Sequence, residues 1–294
     1  MKNTWRLLKK IFFGIFIVHI SWFLFFIVQK FSVSGFTIAN LQTKMLIVLA
    51  VILVIGLLYY FWLRQIVFVK KAYFVLKEIF FIAYISSILY LLSGILFNPA
   101  ITLTQLGSLI QGYGLNRDYV SYRNMGPNIK LAVIASEDQL FPDHDGFDLK
   151  AIKVAMKYNK KHPDKIRGGS TISQQVAKNV FLYQGGGFLR KGIEVFYTFS
   201  IETIWSKRTI LERYLNIAEM GPGIFGVQAA AKEYFNKDAK ALTMAEAAQI
   251  AALLPSPKRL GKKPFGNYVI GRKNYIVRQM NNLAGDPDIV ALLK

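Results

Sequence analysis

The sequence predicts a mainly α-helical protein in which N-terminal transmembrane helices are followed by a compact helical domain. Long uncharged apolar runs occur only in the first hundred residues and have the length of bilayer-spanning helices. After residue 126 the apolar residues recur at helical spacing, and the alternation typical of strands is nearly absent. These observations indicate a membrane region joined to one helical domain.

The composition of the chain limits the classes of function. The 294 residues include 37 Lys and Arg against 17 Asp and Glu, a formal charge of +20. This excess favours nucleic acid, anionic lipid or a phosphate-bearing substrate as a partner, and the membrane segments favour the last two. The chain has no cysteine and only three histidines, which excludes disulfides and thiol catalysis and leaves a His/Cys zinc site short of ligands.

Three apolar runs predict transmembrane helices at residues 11–28, 45–63 and 79–97. A signal peptide or a buried core helix would explain one such run, but neither explains three in succession.

The distribution of Lys and Arg predicts the orientation of these spans. The tail, residues 1–10, carries four, and the second connection, residues 64–77, also carries four, whereas the first connection, residues 29–44, carries two. The positive-inside rule places the tail and the second connection in the cytoplasm. The sequence therefore predicts a multi-pass membrane protein whose domain lies on the side of the membrane away from the cytoplasm.

The remaining chain divides into a connector and a domain. Residues 98–125 are predicted to be the connector, because Asn98-Pro99 opens the stretch and several glycines punctuate it. Residues 126–294 are predicted to form one domain of ordinary size. Within it, Thr243 and Glu246 have the spacing of a capping box that starts a helix.

The stretch from Ile134 to Phe147 contains a candidate general base. An apolar lead ends in two adjacent carboxylates, Glu137 and Asp138. A carboxylate that a buried element delivers beside a second acid suits general base catalysis. Taken alone, the stretch is equally typical of a solvated acidic pair at a helix end.

A second candidate block begins with two glycines followed by Ser170-Thr171. The free amides of the helix that starts here suit a phosphate or sugar oxygen. Gln174, Gln175 and Lys178 follow on the same helix, and Ser170, Gln174 and Lys178 share a face. An N-cap with a solvated polar face is the alternative, and the order of residues excludes a nucleotide-binding P-loop.

A third block contains Arg190, Lys191 and Glu194, with Glu202 eight residues further on. The two glutamates are spaced for roughly one helix face. The residues between them are almost wholly apolar, so these carboxylates are predicted to border a core rather than to lie on a solvated salt-bridging face.

Together these blocks resemble the peptidoglycan glycosyltransferase family, which comprises the polymerising domain of class A penicillin-binding proteins and the monofunctional biosynthetic transglycosylases. The match runs from Pro127 to about Met280, and the chain stops near Lys294 without a penicillin-binding domain, as the monofunctional members do. Five ordered motifs carry the resemblance: Glu137-Asp138 with Phe141, His144 and Gly146; residues 168–179; Arg190-Lys191 with Glu194; residues 206–216; and residues 226–237.

The resemblance implies a lysozyme-like α-helical domain that polymerises lipid II into β-1,4-linked glycan, with inversion and release of undecaprenyl pyrophosphate, in cell wall biogenesis. It implies that Glu137 is the base and that Lys178 and Arg190 hold the pyrophosphate. Glu194 would be a second catalytic residue that positions the pyrophosphate or assists its departure. The other substrate-binding positions that it implies are Asp138, Phe141, His144, Gly169, Ser170, Thr171, Gln174, Gln175, Asn179 and Lys191.

The resemblance implies no certain cofactor, although a divalent cation, magnesium or manganese, is plausible. The resemblance also implies that the domain lies on the outer (periplasmic) face of the cytoplasmic (inner) membrane. The expected partners are lipid II, the nascent glycan strand and the lipid bilayer. Other proteins of cell-wall synthesis or division are plausible partners, and nucleic acid is not expected.

The chain departs from the family pattern in three places. Pro142 stands where an aromatic residue is usual, and Gly185 to Gly187 occupy a loop that often carries an arginine, which leaves Lys178 and Arg190 as the main phosphate contacts. The first two spans have no counterpart in the family. A lytic, lysozyme-like enzyme that cleaves glycan with an acidic glutamate is the closest alternative. A membrane-anchored binding protein with a degenerate site is another.

Overall fold

A computed structural model describes residues 2–33, 50–51, 53–164, 167–183 and 185–294 of the chain. The chain divides into two compact units, Met1–Ser93 and Gly94–Lys294. Its helices are α1 Lys2–Val33, α2 Val67–Ser93, α3 Leu103–Ile110, α4 Pro127–Glu137, α5 Leu149–Lys161, α6 Ile172–Phe181, α7 Phe188–Ile204, α8 Lys207–Ile217, α9 Val227–Phe235, α10 Met244–Ala251, α11 Pro257–Leu260, α12 Asn267–Leu283 and α13 Pro287–Leu293. The strands are β1 Asn116–Arg117, β2 Glu219–Gly221 and β3 Ile224–Phe225.

In the N-terminal unit, α1 and α2 pack against each other through aromatic side chains. The ring of Phe16 lies edge-on to the rings of Phe80 and Tyr84, with centroids 5.4 and 5.0 Å apart. Lys9 forms an ion pair with Glu78. The two helices therefore form a pair that is closed at one end by opposite charges.

Two helices of the described residues are long and apolar enough to cross a membrane, Thr4–Lys30 within α1 and Val67–Ser93. The predicted span 11–28 lies inside the first. The predicted span 79–97 starts too late and ends too late, because the helix runs from Val67 to Ser93. No proline or glycine interrupts that stretch, and its lysines are good helix formers, so the charges that suggested a loop belong to the helix.

The predicted span 45–63 lies partly outside the described residues, which omit 34–49 and 52. Residues 53–61 of this span are helical.

The second unit contains a small sheet with strand order β1-β3-β2. β1 runs parallel to β3, and β2 runs antiparallel to it. With α3, this pairing places residues 98–125, the predicted connector, inside the second unit. The prediction overlooked the capping box that Thr102 and Gln105 form at the start of α3.

The core of the second unit is built around α4. Pro127 occupies its first turn, and every residue from Ile129 to Ala135 is buried. α4 packs against α10 and α12, while α6 packs against α7 and α8. The predicted capping box of Thr243 and Glu246 starts α10. The mainly α-helical fold class is confirmed, and a helix that is buried from Ile129 to Ala135 delivers Glu137 at its last residue.

Candidate active site

Glu137 ends α4, and its carboxylate contacts three neighbouring side chains. Oε2 accepts a hydrogen bond from Gln175 Nε2 at 3.0 Å, and Oε1 accepts one from Ser136 Oγ at 3.0 Å. A guanidinium nitrogen of Arg272 lies 3.5 Å from Oε1. Because the side chain of Glu137 is still 13% exposed, the carboxylate is held in place and remains reachable by a ligand.

Asp138 joins the end of α4 to the start of α6. Its buried carboxylate accepts hydrogen bonds from His144 Nε2 at 2.9 and 3.0 Å and from the backbone N–H of Ile172 at 2.9 Å. Ile172 is the first residue of α6, where a negative charge is favourable. The structure thus gives Asp138 and His144 a supporting role, and their contact with substrate stays a prediction.

Gly146 fixes the loop that carries His144. Its N–H donates to His144 Nδ1 at 3.1 Å, so Nε2 carries the hydrogen that is donated to Asp138. The φ of Gly146 is +85°, and an added Cβ would lie 2.8 Å from Thr198 Cγ2 and 2.9 Å from Glu202 Cγ. Only glycine fits both the backbone conformation and the space.

Side chains of the first turn cap the N-terminus of α6. The N–H of Gln174 donates to Thr171 Oγ1 at 3.2 Å, and the N–H of Thr171 donates to Gln174 Oε1 at 3.1 Å. Gly169 packs on α5, where an added Cβ would lie 3.1 Å from Ala155 Cβ. The N-cap alternative therefore describes Thr171 and Gln174, whereas Ser170 is exposed. Substrate contact at these positions is untested.

Gln175 connects the proposed base to a buried tyrosine. The hydroxyl of Tyr214 donates to Gln175 Oε1 at 3.2 Å, which directs the amide nitrogen of Gln175 towards Glu137. Burial, with smaller contributions from Glu137 and Asp138, raises the pKa of Tyr214 well above its usual value. The hydroxyl therefore remains a donor over the working pH range. Tyr214 belongs to the fourth motif but was not predicted as a site residue.

Lys178 lies one turn further along α6. Burial lowers its pKa, Glu194 and Glu137 oppose that change, and Arg190 and Lys191 add to it. Its ammonium group has no hydrogen-bond partner among the residues that the structure describes. The charges of these four residues thus lie close enough to act on Lys178.

Glu194 is buried within a cluster of cations. Arg190 Nη1 donates to Glu194 Oε2 at 2.8 Å, and Lys191 pairs with the other oxygen. Arg190 Nε is buried and has no hydrogen-bond partner among the described residues. Lys178 is a third cation within electrostatic range of this carboxylate, and the excess of positive charge suits an anionic ligand.

Glu202 is buried together with Glu194, so the prediction that both carboxylates border a core is confirmed. Lys207 Nζ donates to Glu202 at 2.8 Å and lies 4.7 Å from the ring centroid of Phe141. Phe141 is fully buried. The structure gives Phe141 a packing role beneath the loop, and its contact with substrate stays a prediction.

A cleft of about 510 Å³ opens beside this cluster. Gln175, Lys178 and Asn179 line one part of it, so the structure brings these three predicted residues together. Glu219 and Lys258 line another part. Burial raises the pKa of Glu219, and Lys258 opposes the rise.

Arg272 is a site residue that the sequence analysis missed. One of its Nη atoms donates to Ser136 Oγ at 3.0 Å and lies beside Glu137, and its Nε is buried without a partner among the described residues. Arg272 shares a face of α12 with the buried Ile276 and Met280. An arginine spaced four and eight residues before apolar positions of the same helix is the signal that could have identified it.

The residues near Glu194 do not fit a protein-held divalent cation. Such ions need several oxygen ligands, whereas the carboxylate of Glu194 is paired with two cationic side chains. Within the described parts of the chain, no group of three His, Asp or Glu side chains is arranged to hold a metal ion.

Comparisons with known proteins match most of the second unit to one protein family. The family profile described as Transglycosylase matches residues 104–281, more than half of the chain. The matched range contains α3 from its second residue onward and every site residue described above.

Several relatives carry the name biosynthetic peptidoglycan transglycosylase. The protein from Pectobacterium carotovorum subsp. carotovorum is 48% identical over 193 residues, which cover 65% of this chain and 79% of the relative. The protein from Yersinia pseudotuberculosis serotype O:3 is 50% identical over 64% of this chain and 80% of the relative. The protein from Salmonella agona is 52% identical over 60% of this chain and 72% of the relative.

Proposed function

The chain belongs to the transglycosylase family, and we propose from this premise that it polymerises lipid II into β-1,4-linked glycan with release of undecaprenyl pyrophosphate. Its activity is that of a peptidoglycan glycosyltransferase in cell-wall synthesis. An apolar N-terminal helix is consistent with anchoring in a membrane. The glycosyltransferase activity follows from the family, and the identity of the donor and the acceptor is what the proposal adds.

In the proposed reaction, Glu137 accepts the proton of the acceptor's 4-hydroxyl group. The acceptor oxygen forms a bond to C1 of the donor sugar, and the bond between C1 and the pyrophosphate oxygen breaks. Its electron pair leaves with the pyrophosphate, and attack from the opposite face converts the α linkage into a β linkage. Hydrogen bonds from Ser136 and Gln175 support this role, because they fix the carboxylate of Glu137.

Lys178 and Arg190 are proposed to bind the departing pyrophosphate. The observation that carries the proposal is that Lys178, a half-buried cation without a hydrogen-bond partner among the described residues, lines the cleft beside Gln175, whose amide donates to Glu137. A cation in a water-poor site stabilises negative charge that develops on a leaving group. Glu194 holds Arg190 and Lys191 in position for this task.

The same cluster argues against the glycan-cleaving alternative. A lytic or lysozyme-like enzyme needs a carboxylic acid to protonate a sugar oxygen, but it has no pyrophosphate to bind. The single carboxylate of Glu194 balances only one of the three cations, so an anionic ligand is needed to offset their remaining repulsion. Glycosyl transfer uses them and hydrolysis does not.

The membrane topology, the place of a divalent cation and the identity of the partners are also proposals. The catalytic unit would lie on the outer face of the cytoplasmic membrane, in a multi-pass protein with three spans. A divalent cation, magnesium or manganese, would enter only as an ion bound to the substrate's own phosphates. Nascent glycan and other proteins of cell-wall synthesis or division would be its partners, alongside lipid II and the bilayer.

The substitution Glu137→Gln tests the assignment of the base. Incubation of the purified full-length protein with labelled lipid II should show polymer formation reduced by about 10²–10⁴-fold, the usual effect of losing a positioned base. Glu233→Gln is the matched control, because Glu233 is exposed on α9. A folded Glu137→Gln protein that polymerises at the wild-type rate would exclude Glu137 as the base.

A further inference from the structure

Helix α3 has its polar residues inside and its apolar residues outside. Gln105 and Ser108 are fully buried. Leu106, Leu109 and Ile110 are 42%, 44% and 78% exposed. This arrangement is the reverse of the usual surface helix, whose apolar stripe faces the core.

Hydrogen bonds to the rest of the second unit fix this orientation. Gln105 Oε1 accepts from Arg117 Nη1 at 3.1 Å, and Gln105 Nε2 donates to the hydroxyl of Tyr119 at 3.0 Å. Ser108 Oγ donates to the carbonyl of Gly114 at 3.0 Å. Rotation of the helix would leave these buried polar groups unpaired, at a cost that holds the leucines outward.

A third face of α3 lines the cleft. Thr104, Gly107 and Gln111 border the same space as Gln175 and Lys178. Successive residues of a helix are about 100° apart, so this face, the buried polar face and the outward apolar face lie on three different sides. One helix thus separates the cleft from whatever covers its outer face.

The segment that leads into α3 is uncharged, like the C-terminal part of the candidate span that precedes it. Residues 79–116 contain no charged side chain. The candidate span ends at Ser93, and the next residues are bound to α8, since Arg213 donates to the carbonyls of Gly94 at 3.0 Å and Ile95 at 3.2 Å. Leu96 and Phe97 are largely exposed. The second unit therefore begins directly at the end of a candidate span, and exposed apolar side chains continue from there into α3.

We propose that the outward face of α3, formed by Leu106, Leu109 and Ile110, binds the surface of the lipid bilayer. The helix lies in the membrane plane with this face about 5–10 Å below the headgroups, as interfacial helices do. The continuous uncharged chain from the candidate span favours a bilayer over a second copy or another protein. The inference rests on the proposed function only in placing the second unit at a membrane, and it brings the cleft beside the layer from which a lipid-linked substrate enters.

Site-specific fluorescence in proteoliposomes tests this surface. Because the chain has no cysteine, the single substitutions Leu106→Cys and Ile110→Cys in the full-length protein each accept one environment-sensitive label. Lipids that carry a nitroxide at known depths should quench both labels, and the depth obtained should be about 5–10 Å below the headgroups. Asp288→Cys, at an exposed acidic residue of α13, is the control and should respond only to a water-soluble quencher.

Two results would overturn the proposal. Quenching of the α3 labels by soluble iodide, with no effect of nitroxide lipid, would show a water-exposed face. Protection from both quenchers, with self-quenching that rises with protein density, would show that a second copy covers the face. Neither readout requires enzyme activity, so a failure of this proposal is distinct from a failure of the proposed reaction.

Discussion

Arg272 brings a cation to the proposed base from a helix far away in the sequence. Its guanidinium lies 3.5 Å from Glu137 Oε1 and 3.0 Å from Ser136 Oγ. The guanidinium restricts the rotation of the Glu137 side chain, because it contacts both Glu137 and the Ser136 hydroxyl that donates to Glu137. Arg272 is therefore a positioning residue, whose effect should appear in the rate of the reaction.

We predict that Arg272→Gln lowers kcat for polymerisation by up to about 10²-fold while KM stays near the wild-type value, because the proposed base loses one of the contacts that orient it. Arg272→Lys, which keeps a cation at this position, should restore most of the rate. Arg278→Gln, on an exposed position of the same helix, is the control. An equal loss of rate in Arg272→Gln and Arg272→Lys, with a lower melting temperature in both, would indicate a merely structural role for Arg272.

We predict that deprotonation of Lys178 produces the alkaline limb of the pH profile of kcat. Burial lowers its pKa, so the ammonium loses its proton at a lower pH than an ordinary lysine as the pH rises. Only the protonated form offsets the charge of a departing pyrophosphate, so kcat should fall on the alkaline side. Lys178→Arg should keep activity and move this limb upward, because arginine stays charged. Lys191→Arg is the comparison, and if it moved the limb equally, the limb would not belong to Lys178.

At the scale of elements, the junction between α4 and α6 determines the geometry of the site. Asp138 accepts from His144 and from the first amide of α6. We predict that Asp138→Ala destabilises the fold by about 2–5 kcal/mol, since two buried donors lose their partner. Thermal unfolding in detergent, followed by tryptophan fluorescence, measures the change. Asp143→Ala, on the exposed side of the same loop, should unfold like the wild type, and equal melting of both variants would contradict the prediction.

The elements that carry the proposed chemistry could be predicted because their signals are local. The apolar lead into Glu137 predicts a buried element, the two glycines before Ser170-Thr171 predict the start of a helix, and Thr243 with Glu246 predicts a capping box. The sequence did not reveal α3, because a helix with buried polar and exposed apolar residues inverts the expected pattern. It misplaced the start of α2, because lysines within an apolar helix resemble a loop boundary.

Contacts between distant segments explain why the sequence analysis did not identify every residue of the site. Glu137, Lys178 and Glu194 could be selected from motifs that lie within sixty residues of one another. The hydrogen bonds of Gln175 with Glu137 and Tyr214 depend on how α4, α6 and α8 meet, and no local spacing encodes that meeting. The contact of Arg272 depends on the packing of α12 against α4 in the same way.

At the scale of the whole molecule, the number of spans determines the side on which the second unit lies. The described helices that could cross, Thr4–Lys30 and Val67–Ser93, would by themselves return the chain to the side of its tail. That tail carries four Lys and Arg, which favours the cytoplasm. The proposed polymerisation requires the outer face, so a third crossing is needed. Residues 53–61, which are helical and uncharged, belong to the segment that would supply it.

We therefore predict three crossings, with the first connection outside the cell membrane. A single cysteine at Ser34, which lies outside the described residues, tests this, because the chain has no other cysteine. A membrane-impermeant thiol reagent should label Ser34→Cys on cells with a permeabilised outer membrane, if they have one, as it should label Asp288→Cys. Asn3→Cys, in the tail, should react only after lysis. If Ser34→Cys also reacted only after lysis while Asp288→Cys reacted before it, the first two apolar runs would not cross, and a single span would suffice to bring the second unit to the outer face.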